Sequence, residues 1–195
     1  MKKRILALVL IITTLISCDV SKELAGAYNM INCNYSYKSI SGLTVSGMNL
    51  SNSNSLSVTN IAKITSILSG TASSIPLNFT LNLNVNNPNA SAAMLHGLQY
   101  IVSIDNIQFT SGTVSQSLNI ASGQTQTLPL TIGVDLATLM KNNSKDAVVD
   151  IAKNFIGIGS KSSNVTVQLK PTFLIGNTPI TSPSYIPVSF NFGGK

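Results

Sequence analysis

The stretch Leu77-Asn78-Phe79-Thr80-Leu81-Asn82-Leu83-Asn84-Val85-Asn86-Asn87-Pro88-Asn89 decides how the chain reads. Leu77, Phe79, Leu81, Leu83 and Val85 fall on one side of a two-residue period, and Asn78, Thr80, Asn82, Asn84 and Asn86 on the other. That period belongs to a half-buried β-strand, apolar toward a core and amide-covered outside. Pro88 ends the strand, because it has no N–H to give a ladder and biases Asn87 toward extended backbone. Leu98 to Ile104 forms a second strand, which Asp105-Asn106 turns into a third from Ile107.

Working outward, further strands are predicted around Lys38–Leu50, Val114–Ile120, Leu128–Val134, Val165–Ile175 and Ile186–Phe192, with turn residues between them. Gly42 and Gly47 are expected at kinks or bulges, and Pro129 points to an edge strand. Two segments carry the helical period instead. Ile61, Ile64, Ile67 and Leu68 predict a short helix over about 60–69, capped by Thr59 or Asn60 and closed by a left-handed Gly70. Leu136 to Ile156 predicts a longer helix, broken at Asn142-Asn143-Ser144, with Asp135 capping its start and Ser144 its second half. The fold class expected is therefore mainly β, an antiparallel β-sandwich with a short helix at 60–69 and a broken helix at 136–156.

The N-terminus carries a targeting pattern. Lys2, Lys3 and Arg4 precede an apolar run from Ile5 to Ile16, too short to span a bilayer as a helix. Leu15-Ile16-Ser17-Cys18 resembles a bacterial lipobox, which implies removal of residues 1–17, diacylglycerol on the Cys18 thiol and attachment to a membrane. Several acyl chains make such an anchor stable. Residues 18–35 then read as the lipidated cysteine and a polar tether, and 36–195 as one domain. Loss of Lys2, Lys3 and Arg4 lowers the net charge from +6 to +3 and leaves nine scattered lysines against six acids. Such a distribution is a poor basis for nucleic-acid binding. Cys33 is left without an intramolecular partner, either as an unpaired thiol in the tether or in an intermolecular disulfide.

The strand from Phe79 to Val85, Asn87-Pro88-Asn89, the Gly97-Leu98-Gln99-Tyr100 opening of the next strand, Ser111-Gly112 and the Leu128-to-Val134 strand together resemble the WHy domain of the late embryogenesis abundant type 2 family. The resemblance covers about Ile75 to Asp135. It implies an immunoglobulin- or fibronectin III-like sandwich, a link to desiccation and other stress, and no shared catalytic residues. Asn87, Pro88, Asn89 and Gly112 are then structural motif positions.

Chemistry is sparse elsewhere. His96 is the only histidine, sits before Gly97, and has neither an acid nor a nucleophile motif beside it. Asp146 and Asp150 share a helix face, which is half a calcium site or two solvated acids beside Lys145 and Lys153. Gly157-Ile158-Gly159-Ser160-Lys161-Ser162 has the letters of a phosphate loop but the wrong spacing and element order, so it reads as a turn. The strip Asn78, Thr80, Asn82, Asn84 and Asn86 reads as a solvated outer face or a surface for a glycan or partner. These readings converge on a non-enzymatic, lipid-anchored protein of the bacterial cell envelope, periplasmic or surface-facing, with the outer membrane favoured over the inner. No metal, cofactor, small-molecule substrate or nucleic acid is expected. The function expected from the resemblance is protection under stress; the alternative is an interaction module or accessory subunit of an envelope complex, docking through a sheet edge or the apolar side of Leu136 to Phe155.

Overall fold

The computed structural model describes residues 19–50, 57–70 and 72–193; Cys18 and the expected signal lie outside them. A helix, α1, covers 19–31. It is followed by β1 (Asn34–Val45), β2 (Met48–Asn49), α2 (Val58–Ser69), β3 (Pro76–Asn86), β4 (Ala93–Leu95), β5 (Gly97–Ile104), β6 (Ile107–Val114), β7 (Leu118–Ile120), β8 (Thr125–Asp135), α3 (Leu136–Asn142), α4 (Lys145–Phe155), β9 (Ser163–Ile175), β10 (Thr178–Thr181) and β11 (Ile186–Phe192). The protein is mainly β, and every strand pair is antiparallel.

One sheet runs β2-β1-β3-β8 and a second runs β10-β9-β5-β6, with β11 also on β9. β3 is central in the first because its five apolar side chains all turn inward: Leu77, Leu81, Leu83 and Val85 are fully buried and Phe79 nearly so. Leu128, Leu130 and Ile132 of β8 join them, as do Val102 and Ile104 of β5 and Val165, Val167 and Leu169 of β9, in one continuous core. The sheets also meet at their rims. Tyr37 of β1 stacks on Phe190 of β11 with ring centroids 4.4 Å apart. The pair therefore curls around its core.

Prolines fall where a ladder tolerates them. Pro129 pairs with Asn82 on the edge strand β8, as the sequence predicts. Pro171 falls between the β11 pairing, which ends at Leu169, and the β10 pairing, which begins at Thr172. The β1–β3 register shifts between Tyr37 and Ser39 and again between Ser41 and Thr44, where Gly42 lies. Asp105-Asn106 makes the β5–β6 turn with both residues at positive φ, 48° and 67°.

The helical expectations hold in outline. The break at Asn142-Asn143-Ser144 separates α3 from α4, and the side chains of Asp135 and Ser144 cap the two segments. The start of α2 is corrected: Ser57, ahead of Thr59 and Asn60, accepts the capping bond from the Asn60 N–H. Gly70 has φ −76°, so this helix does not end in left-handed geometry.

The largest difference lies at 19–35. The segment read as a tether is α1 followed by the first residues of β1, and it is packed on the sheets. Met30 is fully buried and Ala27 nearly so. Asn34 to Tyr37 extend β1 four residues earlier than the predicted strand, pairing with Asn86 back to Leu83.

Candidate functional site

Asn87 is fully buried, as is Ser163 among the described polar residues. A buried primary amide must spend two donors and one acceptor, and Asn87 spends all of them. Its Nδ2 donates to the carbonyls of Ser91 at 2.9 Å and Ile120 at 2.8 Å. Its Oδ1 accepts from the backbone N–H of Asn89 at 3.0 Å and from Asn89 Nδ2 at 2.8 Å. The Asn87 backbone closes the ring, donating to Gln124 O and accepting from Gly123 N. Pro88 holds the turn that lets Asn87 and Asn89 face each other.

Asn89 carries the clamp outward. Its Nδ2 also donates to the carbonyl of Asn29 in α1 at 3.0 Å, and its carbonyl accepts from Ser122 Oγ at 2.7 Å. The Asn29 side chain answers with bonds to Ser91 Oγ at 2.8 Å and Ala92 O at 3.0 Å. Two asparagines thus tie α1, the β3–β4 loop and the β7–β8 turn together. The sequence marks Asn87, Pro88 and Asn89 as structural, but the Asn29 partner carries no local signal.

Gly112 serves a second tie. It pairs across from Tyr100, and a Cβ there would lie 2.6 Å from the Tyr100 hydroxyl oxygen and 2.8 Å from Cζ. The bare glycine lets the ring lie over it, and the Tyr100 hydroxyl donates to the Thr131 carbonyl of β8 at 2.9 Å. The two sheets are pinned together there.

Outside the core, the amide strip of β3 is cross-linked to its neighbours. Asn82 Nδ2 reaches the hydroxyls of Ser39 and Ser41 at 3.2 and 3.1 Å, and Asn86 reaches Thr125 Oγ1 at 2.9 Å. Lys38 Nζ donates to Thr127 Oγ1 at 2.7 Å. The face is a lattice of uncharged donors and acceptors with one ammonium beside it.

The ionisable residues are dispersed. His96 lines a hollow of about 230 Å³ with Glu23, Met94, Leu118 and Phe173. Glu23 Oε2 is taken by the backbone N–H of Gly176, and no second acid lines that hollow. Asp150, Lys153, Lys161 and Asp105 border a groove of about 630 Å³ that the 157–162 turn also lines, and Asp146 is not among its walls. Asp105 Oδ1 accepts from the Asn164 N–H. Asp135 accepts from Ile75 N, Ser74 Oγ and Ala137 N. The Ile75 N–H, followed by the Ser74 hydroxyl, holds its carboxyl below the usual carboxylate range. Among the described residues, no three His, Cys, Asp or Glu side chains are grouped to hold a metal, and no helix is long and apolar enough to cross a membrane.

Cys33 is a buried free thiol, where the tether reading expects a polar setting. Burial pushes its pKa up to about 11. The apolar side of α3 and α4, offered under the alternative reading as a docking surface, is also committed: Leu136, Leu139, Val148, Ile151 and Phe155 are buried. Phe155 lies between Phe79 and Phe192, at 5.1 and 4.8 Å.

The described residues thus form an antiparallel, mainly β domain knitted by buried asparagines. Residues 82–183 match the late embryogenesis abundant protein family, and the chain belongs to it. No curated protein matches it in sequence. Among solved structures it is similar to an Arabidopsis thaliana protein at 10% identity, covering 82% of this chain and 80% of that one with TM-score 0.46. A second structure, assigned as a late embryogenesis abundant (LEA) protein, has 14% identity over 98% of this chain and 89% of that one, TM-score 0.40. A protein from Archaeoglobus fulgidus has 14% identity over 64% and 89%, TM-score 0.37.

Proposed function

We propose that the chain is a non-enzymatic, lipid-anchored cell-envelope member of the late embryogenesis abundant family, with a WHy-type region on an immunoglobulin/fibronectin III-like sandwich, and that it protects envelope components during water loss. The observation that supports this reading is the run from Lys2 to Cys18, with its Leu15-Ile16-Ser17-Cys18 lipobox pattern, in the same chain as the family match over residues 82–183. Acylation of Cys18 would hold the domain at a bilayer, on the periplasmic side or at the cell surface. The amide and hydroxyl lattice around Asn82 and Asn86 then faces neighbouring molecules with hydrogen-bonding groups that substitute for lost water.

Two measurements test the reading separately. Expressed in a bacterium, the full chain is expected in the membrane fraction, with an N-terminal peptide carrying the mass of an acylated Cys18, while Cys18→Ser is released. Identical fractionation of the two would remove the anchor. Protection is read by drying and rehydrating a labile reporter enzyme with the purified protein or an equal mass of an unrelated β-sandwich. Recovery no better than that control sinks the protective role for soluble clients.

A further inference from the structure

α1 has two apolar faces, and the domain uses only one. Ala27 and Met30 are buried, and Gly26 lies against Met94. Val20, Leu24, Tyr28 and Ile31 recur at four- and three-residue intervals on the other side, within roughly 80° of arc at 100° per residue. They are 38%, 62%, 67% and 42% exposed, whereas the large apolar residues of the sheets are overwhelmingly buried. Exposed apolar side chains scattered singly call for no explanation; four in a row on one helix face do. The helix's charges sit off the stripe or are engaged. Glu23 is tied to Gly176, and Lys22 pairs with Asp19 at 3.9 Å.

We infer that this outward face of α1 lies in the headgroup layer of the membrane to which Cys18 ties the chain, so that the domain rests against the bilayer in a fixed orientation. The inference depends on the anchor proposed above. Asp19, the first residue after Cys18, already belongs to α1, and its described residues, 19–31, span about 20 Å at 1.5 Å per residue. An acylated Cys18 therefore keeps every residue of the stripe within about that distance of the lipid. Tethering makes insertion an intramolecular step, so a small apolar area suffices. A second copy of the chain needs far more. A strip about 20 Å by 10 Å offers roughly 200 Å², against about 800 Å² per partner in a standard protein interface. Tyr28, with an apolar ring and a polar tip, suits the interfacial depth.

The chain contains no tryptophan, so a single indole reports without background. Full-length Tyr28→Trp and, as a control off α1, Tyr185→Trp would be purified from bacterial membranes. Each is then reconstituted into phosphatidylethanolamine/phosphatidylglycerol vesicles with and without brominated acyl chains, and acylation is read from the N-terminal peptide mass. Expected are blue-shifted, bromine-quenched emission for Tyr28→Trp and unquenched emission for Tyr185→Trp. Adding Leu24→Asn is expected to lower the inserted-to-free ratio roughly tenfold, the loss of one apolar side chain. Acylated protein with a solvent-like, unquenched indole overturns the inference and leaves the anchor standing. A blue-shifted but unquenched indole also overturns it, because protein then covers the stripe. An unacylated Cys18 removes the anchor and the inference together.

Discussion

Replacing Asn87 by Ala is the sharpest test of the clamp. The substitution deletes four side-chain hydrogen bonds, of which the one to Ile120 O lies in a fully buried setting. A net intramolecular hydrogen bond contributes about 1 kcal/mol, and a buried acceptor left unpaired costs about 1–3 kcal/mol. Ser91 O keeps a bond from Asn29 Nδ2 at 3.2 Å, and Asn89 recovers water at both its donors. Three of the four losses are therefore discounted, and the bond to Ile120 O, with its acceptor left buried and unpaired, carries the cost. The sum is roughly 3 kcal/mol. In a domain of this size 1 kcal/mol shifts Tm by about 2–4 °C, which gives a fall of roughly 6–12 °C by calorimetry or circular dichroism. Asn84→Ala, on the outer face of the same strand, is expected to stay within about 0.5 kcal/mol of the parent. Asn87→Asp adds a pH signature. Its carboxylate would face the Ser91 and Ile120 carbonyls, which raises its folded pKa above the unfolded value of about 3.9. The folded state then binds more protons than the unfolded one between those two values, so the variant loses stability as pH rises through that window. A Tm for Asn87→Ala within about 2 °C of the parent would refute the claim that this amide ties the fold together.

Gly112→Ala is expected to cost about 1–3 kcal/mol by pushing its methyl into the Tyr100 ring, with part of the loss recovered in Gly112→Ala/Tyr100→Leu; equal denaturant midpoints for the two would contradict it. Cys33, buried and with its thiol pushed up to about 11, should resist iodoacetamide at neutral pH in the folded protein and react once urea unfolds it, as followed by mass spectrometry. Asp135 has a folded pKa below its unfolded one, so the stability it contributes is present above the unfolded value and is lost as pH falls from there through the lower folded value. Asp135→Asn is accordingly expected to flatten the acid limb of the Tm-versus-pH curve, and an unchanged limb counts against the cap.

The long core strands β3, β5, β8, β9 and β11 were legible because burial imposes a period of two that an apolar core must satisfy. Short β4 and exposed β10 show no such period in the sequence, and the predicted Val114–Ile120 strand is divided between the end of β6 and β7. β3 and the Leu128–Ile132 strand turn inward the residues their alternation assigns. The break between α3 and α4 was legible too, since Asp135 and Ser144 are good cap residues placed immediately before apolar periods. α1 was not. Its docking uses small residues and side-chain amides: Gly26 against Met94, and Asn29 to Ser91 and Ala92 more than sixty residues away. No window along the sequence contains both ends of such bonds, and Ala, Gly and Asn read locally as linker composition. Ser57 as the cap of α2 is hard to read from sequence for a different reason. Cap position depends on where the first turn starts, and apolar spacing fixes that only to within a few residues.

The helix that sequence patterns missed changes what the Asn-Pro-Asn motif does in this chain. In isolation the motif ends a strand and makes a turn, which many sequences achieve without burying an asparagine. Here Asn89 spends a donor on the Asn29 carbonyl, and Asn29 spends its own amide on the loop that the motif opens. The exchange is reciprocal, so α1 cannot leave the sheets without unpairing Asn89, and Asn87 cannot be disturbed without loosening α1. If Cys18 carries lipid, the link between bilayer and domain is then a docked helix and not a flexible tether. The Asn87→Ala variant should lose the protection of α1 against cleavage as well as global stability: limited proteolysis should cut within 19–31 at temperatures where the sheets are still folded. Cleavage there only together with global unfolding would mean that the clamp serves the sheets alone.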